Sequence, residues 1–390
     1  MDLVISSAVR TPMGAFQGAF ATVPAARLGA AVVAEAARRA GVVPDGVDAV
    51  LLGNVLQAGQ GQAPARQAAI YAGLAQATPA VTLNKMCGSG LEAVIQAGRA
   101  VLTRDAEVVV AGGMESMTNA PYLTLGARAG LRLGDAKLVD SLVHDGLWDA
   151  YGDKHMGSCA ELCAAKYSFT RAAQDEYAER SYRRAQAAVE GGTFAAEIVP
   201  VEVAGRRGSV RVEHDEGPSQ VDFEKMLKLR PAFEPTGTIT AANASTLNDG
   251  AAALVVTSEE VAARRGMPVL ARITGWAGAA VAPEWFTIAP VEATRKLFAK
   301  LGWTPESVDL FEVNEAFSVV PMALMEEFGL SASQVNVLGG AVALGHPIGA
   351  SGARILVTLV NALRLGGKRR GVATICIGGG EGLALGLELV

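Results

Sequence analysis

Gly41-Val42-Val43-Pro44-Asp45-Gly46-Val47-Asp48-Ala49-Val50 returns, with changes, as Gly302-Trp303-Thr304-Pro305-Glu306-Ser307-Val308-Asp309-Leu310-Phe311. The two copies lie 261 residues apart. Each reads as a glycine, a proline turn and an apolar run entering a strand. Further along, Ser89-Gly90 reappears as Ser351-Gly352 at a spacing of 262, each pair opening an apolar helical stretch. Gly112-Gly113-Met114-Glu115 then matches Gly378-Gly379-Gly380-Glu381, with about four residues inserted between. Glycine and serine recur by chance, so one such match means little. Three in the same order at nearly constant spacing mark a duplicated chain.

The repeated unit alternates helix and strand. Arg27 to Ala40 has helical apolar spacing, Val47 to Val55 reads as a buried strand, Leu91 to Leu102 is helical again, and Glu107 to Ala111 is a short apolar strand ending in glycines. This alternation predicts the α/β class: a duplicated βαβαβ core of two similar halves, mixed sheets with helices between and outside them. In the second copy the last strand, Gly382 to Val390, follows the glycines at once, whereas its counterpart in the first copy is Gly250 to Thr257. The intervening stretch of about 130 residues is therefore an insertion. The expected organisation is an N-terminal half from residues 1–116 and 248–267, an inserted loop domain at 117–247, and a C-terminal half at 268–390. The insertion carries a helix from Arg171 to Glu190 and a charged, turn-rich stretch from Arg206 to Gln220.

Composition narrows the function. A chain of 390 residues is too long for one ordinary core. A net charge of −5 gives no basic field to collect phosphates, which argues against a nucleic-acid partner. No apolar stretch reaches the roughly 18–20 residues that span a bilayer. Met1 to Ile5 opens directly into a strand-like run, so no signal peptide is expected. The four cysteines, at 87, 159, 163 and 376, are too few for a disulfide scaffold, and free thiols in a cytoplasmic protein are expected.

Four segments hold residues able to do chemistry. Cys87 lies between a strand and a helix in Thr82-Leu83-Asn84-Lys85-Met86-Cys87-Gly88-Ser89-Gly90, where free helix N–H groups would lower a thiol pKa. It reads either as a nucleophile or as a small buried hydrophobe. His346, in Gly345-His346-Pro347-Ile348-Gly349, occupies the duplicate of that turn and falls opposite Asn84. If the halves face one another, both turns meet near the sheet ends, where α/β ligand crevices form. Cys376 ends a strand before Gly378, whose N–H is placed to face a bound oxygen, although a buried strand cysteine is an equal alternative. Asn314 and Glu315 stand where the first copy has Gly53 and Asn54; a carboxamide there suits a water or a carbonyl, and a helix-start carboxylate explains Glu315. His155, Cys159 and Cys163, four apart, can share a helix face, but a structural zinc needs a fourth ligand and none is near, so no metal is expected.

Together these segments resemble the thiolases, over essentially the whole chain. The resemblance rests on Cys87-Gly88-Ser89-Gly90, Gly112 to Met117, His155-Met156-Gly157, Lys228 to Phe233, Asn243-Ala244-Ser245, Asn314-Glu315-Ala316-Phe317, Gly345 to Gly349 and Cys376-Ile377-Gly378. It implies an acyltransferase that condenses two acetyl-CoA to acetoacetyl-CoA and CoA, or reverses this by thiolysis, in lipid metabolism. Cys87 would carry the acyl group, His346 accept its proton, Asn314 hold a water and Cys376 handle the α-proton. The N–H groups of Cys87 and Gly378 would stabilise an oxyanion. The insertion would bind coenzyme A through His155, Phe233 and Ser245. No permanently bound cofactor is implied, since CoA thioesters are substrates. The assembly implied is a homo-oligomer, a dimer or a tetramer, with Pro121 to Asp140 contributing. Trp285-Phe286-Thr287-Ile288-Ala289-Pro290 departs from the Met-Gly-x-Gly-Pro segment of the short-chain group. That departure leaves a broad-chain degradative 3-ketoacyl-CoA thiolase as the alternative. A ketoacyl-carrier-protein synthase and a non-catalytic acyl-CoA-binding protein fit less well, because Asn314, both cysteines and the long insertion are all present.

Overall fold

Asp48 and Asp309, the aspartates shared by the two copies, show why the halves fold alike. In the computed structural model, which describes residues 2–205 and 208–390, Asp48 accepts the backbone N–H groups of Glu107 and Val108, both at 2.8 Å. Asp309 does the same for Arg369 and Arg370 at 3.0 and 2.8 Å. Each aspartate thereby sets the register of one strand against its parallel neighbour. The glycine opening each copy ends a helix in the left-handed region, Gly41 at φ +70° after Ala25–Arg39 and Gly302 at φ +65° after Ala289–Leu301.

The principal strands, in chain order, are β1 (Leu3–Arg10), β2 (Ala49–Gly53), β3 (Ala80–Leu83), β4 (Val108–Ser116), β5 (Asn248–Ser258), β6 (Ala271–Ala280), β7 (Leu310–Val313), β8 (Arg370–Ile377) and β9 (Glu381–Leu389). Across the sheet they run β7-β8-β9-β6-β1-β5-β4-β2-β3, with the short strand Gly14–Ala15 pairing onto β5. The first half, β1-β5-β4-β2-β3, has two antiparallel pairs and then two parallel ones. The second, β6-β9-β8-β7, repeats the antiparallel, antiparallel, parallel pattern, and a parallel bridge from Phe311 to Val335 stands where β2 meets β3. Residues 3–5 of β1 and 271–273 of β6 join the halves. The mixed α/β core expected from the alternation is present, as one continuous sheet rather than two separate ones.

Register corrects one expected correspondence. Val50 pairs with Val110, and its equivalent Phe311 pairs with Val372, so the offset on β4 and β8 stays at 262 with nothing inserted. Met114 is thus the equivalent of Cys376, and Glu115 of Ile377 rather than of Glu381. The two glycine runs only look alike. Gly112 and Gly113 lie inside β4, where a Cβ on either would come within 2.0 Å of a backbone oxygen, whereas Gly379 and Gly380 form a left-handed turn at φ +92° and +85°.

Between the halves run the helices Ser89–Thr103 and Ser351–Gly366, which share one apolar core with the inner faces of β5 and β8. Ala25–Arg39 covers the outer face of the first half and Ala289–Leu301 that of the second. Residues 117–247 pack over the second half through their helices, while Val199 and Val201 join the outer core of the first. The helix Arg171–Glu190 buries Ala178, Tyr182 and Ala185 against Val342 to Leu344, and Cys159 and Cys163 of the helix Met156–Tyr167 enter the outer core. The charged stretch from Arg206 to Gln220 includes the second strand of a hairpin, Gly208–Val212, paired with Val201–Gly205; Arg206 and Arg207 themselves lie outside the described residues. Buried Arg10 of β1 ties the insertion down through Asp215 at 2.6 and 2.9 Å and Glu197 at 2.5 Å. Among the described residues no helix is long and apolar enough to cross a membrane.

The central helices touch backbone to backbone. A Cβ on Gly352 would lie 2.4 Å from the Leu91 nitrogen, and one on Gly90 would lie 2.7 Å from that of Ala353. Gly352→Ala should therefore force the helices apart and destabilise the protein by about 1–3 kcal/mol. Thermal unfolding measures this, and an unchanged melting temperature would refute the tight crossing.

Candidate active site

Local hydrogen bonds build the Cys87 turn. Ser89 Oγ accepts the Lys85 N–H at 2.8 Å and donates to the Met86 carbonyl at 2.6 Å, while Asn84 Oδ1 accepts the Met86 N–H at 3.0 Å. Met86 is held at φ +47°, a left-handed conformation that non-glycine residues seldom adopt. Beneath Gly88 a Cβ would meet Ile377 Cδ1 at 2.4 Å. The turn is thus pinned from both sides, and its thiol faces outward, half-buried, onto a cleft.

The equivalent turn in the second half carries His346. Gly345, at φ +102°, leaves no space for a Cβ beside the Asn248 side chain, 2.1 Å away. The His346 N–H donates to the Thr246 carbonyl at 3.2 Å and to Asn248 Oδ1 at 3.3 Å. The ring Nδ1 lies 2.6 Å from Ser351 Oγ, which itself sits 3.0 Å from the Pro347 carbonyl. Nε2 is buried and has no protein partner. Burial, followed by the nearby charge of Arg354, pushes the imidazole pKa down to about 3, so the ring is neutral.

Both turns open onto one cleft of about 930 Å³. Cys87, His346 and Gly378 line it, and so do His155, Phe233 and Ser245 from residues 117–247. Cys376 and Asn314 do not line the cleft and are fully buried; Cys376 lies close to Cys87. Burial pushes the Cys87 thiol up to about 11, while the N–H groups of Gly378 and of Cys87 itself act in the opposite direction. The expectation that the helix start would lower this pKa is therefore corrected: desolvation outweighs the field. Burial also lifts Cys376 well above the ordinary thiol range, with the neighbouring Cys87 adding to the effect. Neither amide atom of Asn314 has a protein partner, which leaves both for a bound oxygen or water.

Other residues take places that the sequence only partly signalled. His155 caps the helix Met156–Tyr167, its Nδ1 accepting the Gly157 N–H at 3.1 Å, and its ring stacks on Phe233 at 4.7 Å. It does not share a helix face with Cys159 and Cys163, which are packed in the apolar core. Among the described residues no cluster of three or more His, Cys, Asp or Glu side chains is arranged to hold a metal. Glu315 is not a helix-start carboxylate. It is buried and accepts from Tyr177, Ser181, Asn336 and the Val342 N–H at 2.7–3.0 Å, joining the insertion to the second half. Phe286 and Phe317, packed edge to face at 6.3 Å, line the cleft. Sequence reasoning passed over Asn248, which shapes the His346 turn, because its role depends on a contact 98 residues away.

Comparison with known proteins gives the family. The model of the thiolase N-terminal domain matches residues 3–260 and that of the thiolase C-terminal domain residues 267–389. The chain belongs to the thiolase family. Among curated thiolase relatives it is 52% identical to an acetyl-CoA acetyltransferase of Pseudomonas aeruginosa, over 99% of both chains. It is 50% identical to one from Cupriavidus necator with the same coverage. The crystal structure of the Bacillus anthracis acetyl-CoA acetyltransferase superposes with a TM-score of 0.97 at 41% identity, covering 100% of this chain and 99% of that one. A thiolase from Ascaris suum in complex with coenzyme A gives 0.95 at 43%, covering both chains in full.

A thiol raised to about 11 is protonated at neutral pH. Alkylation of Cys87 by iodoacetamide should therefore accelerate about tenfold per pH unit from pH 7 towards 10. Mass spectrometry of the Cys87 peptide follows this, and a plateau below about pH 8 would instead indicate a stable thiolate.

Proposed function

We propose that this thiolase is an acetyl-CoA C-acetyltransferase that works through an acyl-Cys87 intermediate. The observation carrying the proposal is that Cys87 and His346, from equivalent turns of the two halves, face one cleft, with the Gly378 N–H at the thiol and a second thiol behind it.

A protonated nucleophile needs a base at the moment of attack. When Ser351 donates to the Pro347 carbonyl, Nδ1 of His346 donates to Ser351, and Nε2 keeps its lone pair for the Cys87 proton. The sulfur of Cys87 adds to the thioester carbonyl, and CoA leaves with a proton from Cys376. The oxyanion meets the N–H groups of Cys87 and Gly378, each such donor worth on the order of 3–4 kcal/mol. The Cys376 thiolate then takes an α-proton from a second acetyl-CoA, whose thioester oxygen is held by the imidazolium and a water on Asn314. The carbanion attacks the acyl group and expels Cys87, which recovers its proton from His346. Protons balance over the cycle, and thiolysis is the same path reversed.

His155, Phe233 and Ser245 are the proposed contacts for coenzyme A, on the insertion side of the cleft. Met156, Phe286 and Phe317 line the same cleft with bulky apolar side chains, which supports a small acyl group such as acetyl. The second reading, a broad-chain degradative thiolase, draws on the departure at Trp285 to Pro290, where Phe286 stands in the wall. The exposed leucines 125, 131, 133 and 138 support the proposed homotetramer, and the four free cysteines fit a cytoplasmic setting.

Incubation with acetyl-CoA should add one acetyl group to the Cys87 peptide, and Cys87→Ser should abolish the adduct. Cys376→Ser should still acylate but lose turnover by at least about 10³-fold. Absence of the adduct in the unaltered protein would sink the mechanism. Thiolysis of acetoacetyl-CoA should exceed that of a longer 3-ketoacyl-CoA by about tenfold or more; the reverse order would select the broad-chain reading.

A further inference from the structure

Glu115, at the end of β4, is fully buried and absent from the reaction just described. Its Oε1 accepts from Asn54 Nδ2 at 2.6 Å and the Leu56 N–H at 3.3 Å. Its Oε2 accepts from the Val55 N–H at 2.9 Å and the Gly349 N–H at 3.0 Å. All four partners are donors, two on each oxygen. A protonated carboxyl would turn an O–H against an N–H and lose at least one of them.

The fourth donor matters most. Gly349 is three residues from His346 and lies across the boundary between the halves. Its packing leaves no slack: a Cβ on Gly349 would meet Glu115 Oε2 at 2.7 Å, the Met114 carbonyl at 2.8 Å and Asn54 Cα at 2.9 Å. From the other side, a Cβ on Gly113 would meet the Gly349 oxygen at 2.0 Å and one on Gly53 would meet it at 2.6 Å. The carboxylate is the polar tie within this backbone contact.

The duplication supplies an internal control. The equivalent of Glu115 is Ile377, buried under Gly88 of the Cys87 turn. Packing one half's strand end against the other half's turn therefore needs only an apolar side chain. A buried carboxylate in the same place carries a desolvation penalty that packing does not explain.

We propose that ionised Glu115 is a positioning residue, which through Gly349 holds the Pro347–Ser351 turn so that His346 Nε2 faces Cys87, and that its protonation releases that turn. This rests on the acyl-transfer reading above. Burial raises Glu115 to about 7, against the pull of its four donors. No lysine or arginine pairs with it among the described residues, and the titratable group its charge opposes is Cys87. His346 is held neutral down to about 3 and Cys87 protonated up to about 11; the other carboxyl that burial raises to this range, Glu312 at about 8, is ion-paired with Arg354, so an acid limb that disappears in Glu115→Gln belongs to Glu115. The sign is fixed: activity is present above the Glu115 pKa and lost as pH falls through it.

The test is kcat against pH for the unaltered enzyme and for Glu115→Gln. The variant should lose about 10²-fold in kcat with KM within about threefold, and its acid limb should disappear. A variant with undiminished kcat, or a slow one that keeps the same acid limb, overturns the proposal. If the variant does not fold, the unaltered enzyme labelled with 15N-glycine and carbonyl-13C isoleucine answers instead. Only Ile348-Gly349 and Ile377-Gly378 are such pairs, so two amide signals result, and alkylation of Cys87 identifies that of Gly378. The Gly349 signal should move with the midpoint of the kcat limb, and a flat response between about pH 5.5 and 8.5 refutes the mechanism. Failure to acetylate Cys87 would instead undo the acyl-transfer reading, leaving the Gly349 titration readable on its own.

Discussion

Backbone packed directly on backbone between the two halves is the constraint on which the site depends. Gly53, Gly90, Gly113, Gly349 and Gly352 all occupy places where a Cβ would come within 3 Å of another segment's main chain. Side chains can yield by changing rotamer, whereas main chain held in a sheet or a helix cannot. The turn bearing His346 is therefore located by β2 and β4 of the other half rather than by its own loop. The Cys87 turn is likewise backed by Ile377 from β8. The pair proposed to react, assembled this way, inherits the rigidity of both halves of the sheet, which is what placing reacting atoms to within about 0.5 Å demands.

The same burial sets the electrostatics. His346 is neutral, and burial holds both Cys87 and Cys376 in the thiol form. The resting cleft therefore keeps charge off the groups proposed to react. Charge would appear only as a proton passes from sulfur to imidazole, and at that moment the Gly378 N–H is already in place. Donors preoriented in a desolvated site stabilise a transient anion more than they stabilise a resting thiol, and that difference lowers a barrier. A thiolate present from the start would bring the same donors to bear on the ground state.

Much of this was legible because glycine leaves a mark in sequence. The repeat at Gly41 and Gly302 was visible since each glycine ends a helix, and Ser89-Gly90 with Ser351-Gly352 since each pair opens one at a close crossing. The match between Gly112-Gly113 and Gly378-Gly379 misled for the same reason: a glycine needed for a close approach inside a strand and one needed for a left-handed turn are the same letter. Asp48 and Asp309 stood within the quoted repeat, but that they fix strand register emerges only from hydrogen bonds about 60 residues away. The Cys87 pKa was misjudged because a helix start can be read from a strand–turn–helix pattern and desolvation cannot. Glu115 and Asn248 were missed because their partners lie about 60 to more than 230 residues away, Gly349 and His346 among them in the opposite half.

Duplication also explains why a pseudo-symmetric fold has a site without symmetry. Two equal halves facing one another present two equal turns, and a reaction that divides labour between groups needs those turns to differ. The differences fall at equivalent positions: Cys87 against Gly349, Met114 against Cys376, Glu115 against Ile377, and Gly53 against Asn314. In each pair one half keeps a residue that serves packing and the other carries a group proposed to act in the reaction. Neither half holds them all: the first has Cys87 and Glu115, the second has His346, Cys376 and Asn314. The proposed set is complete only where the halves meet. The interface that buries the central helices thus also brings these groups together, and its tight glycine contacts serve the cleft as much as the core.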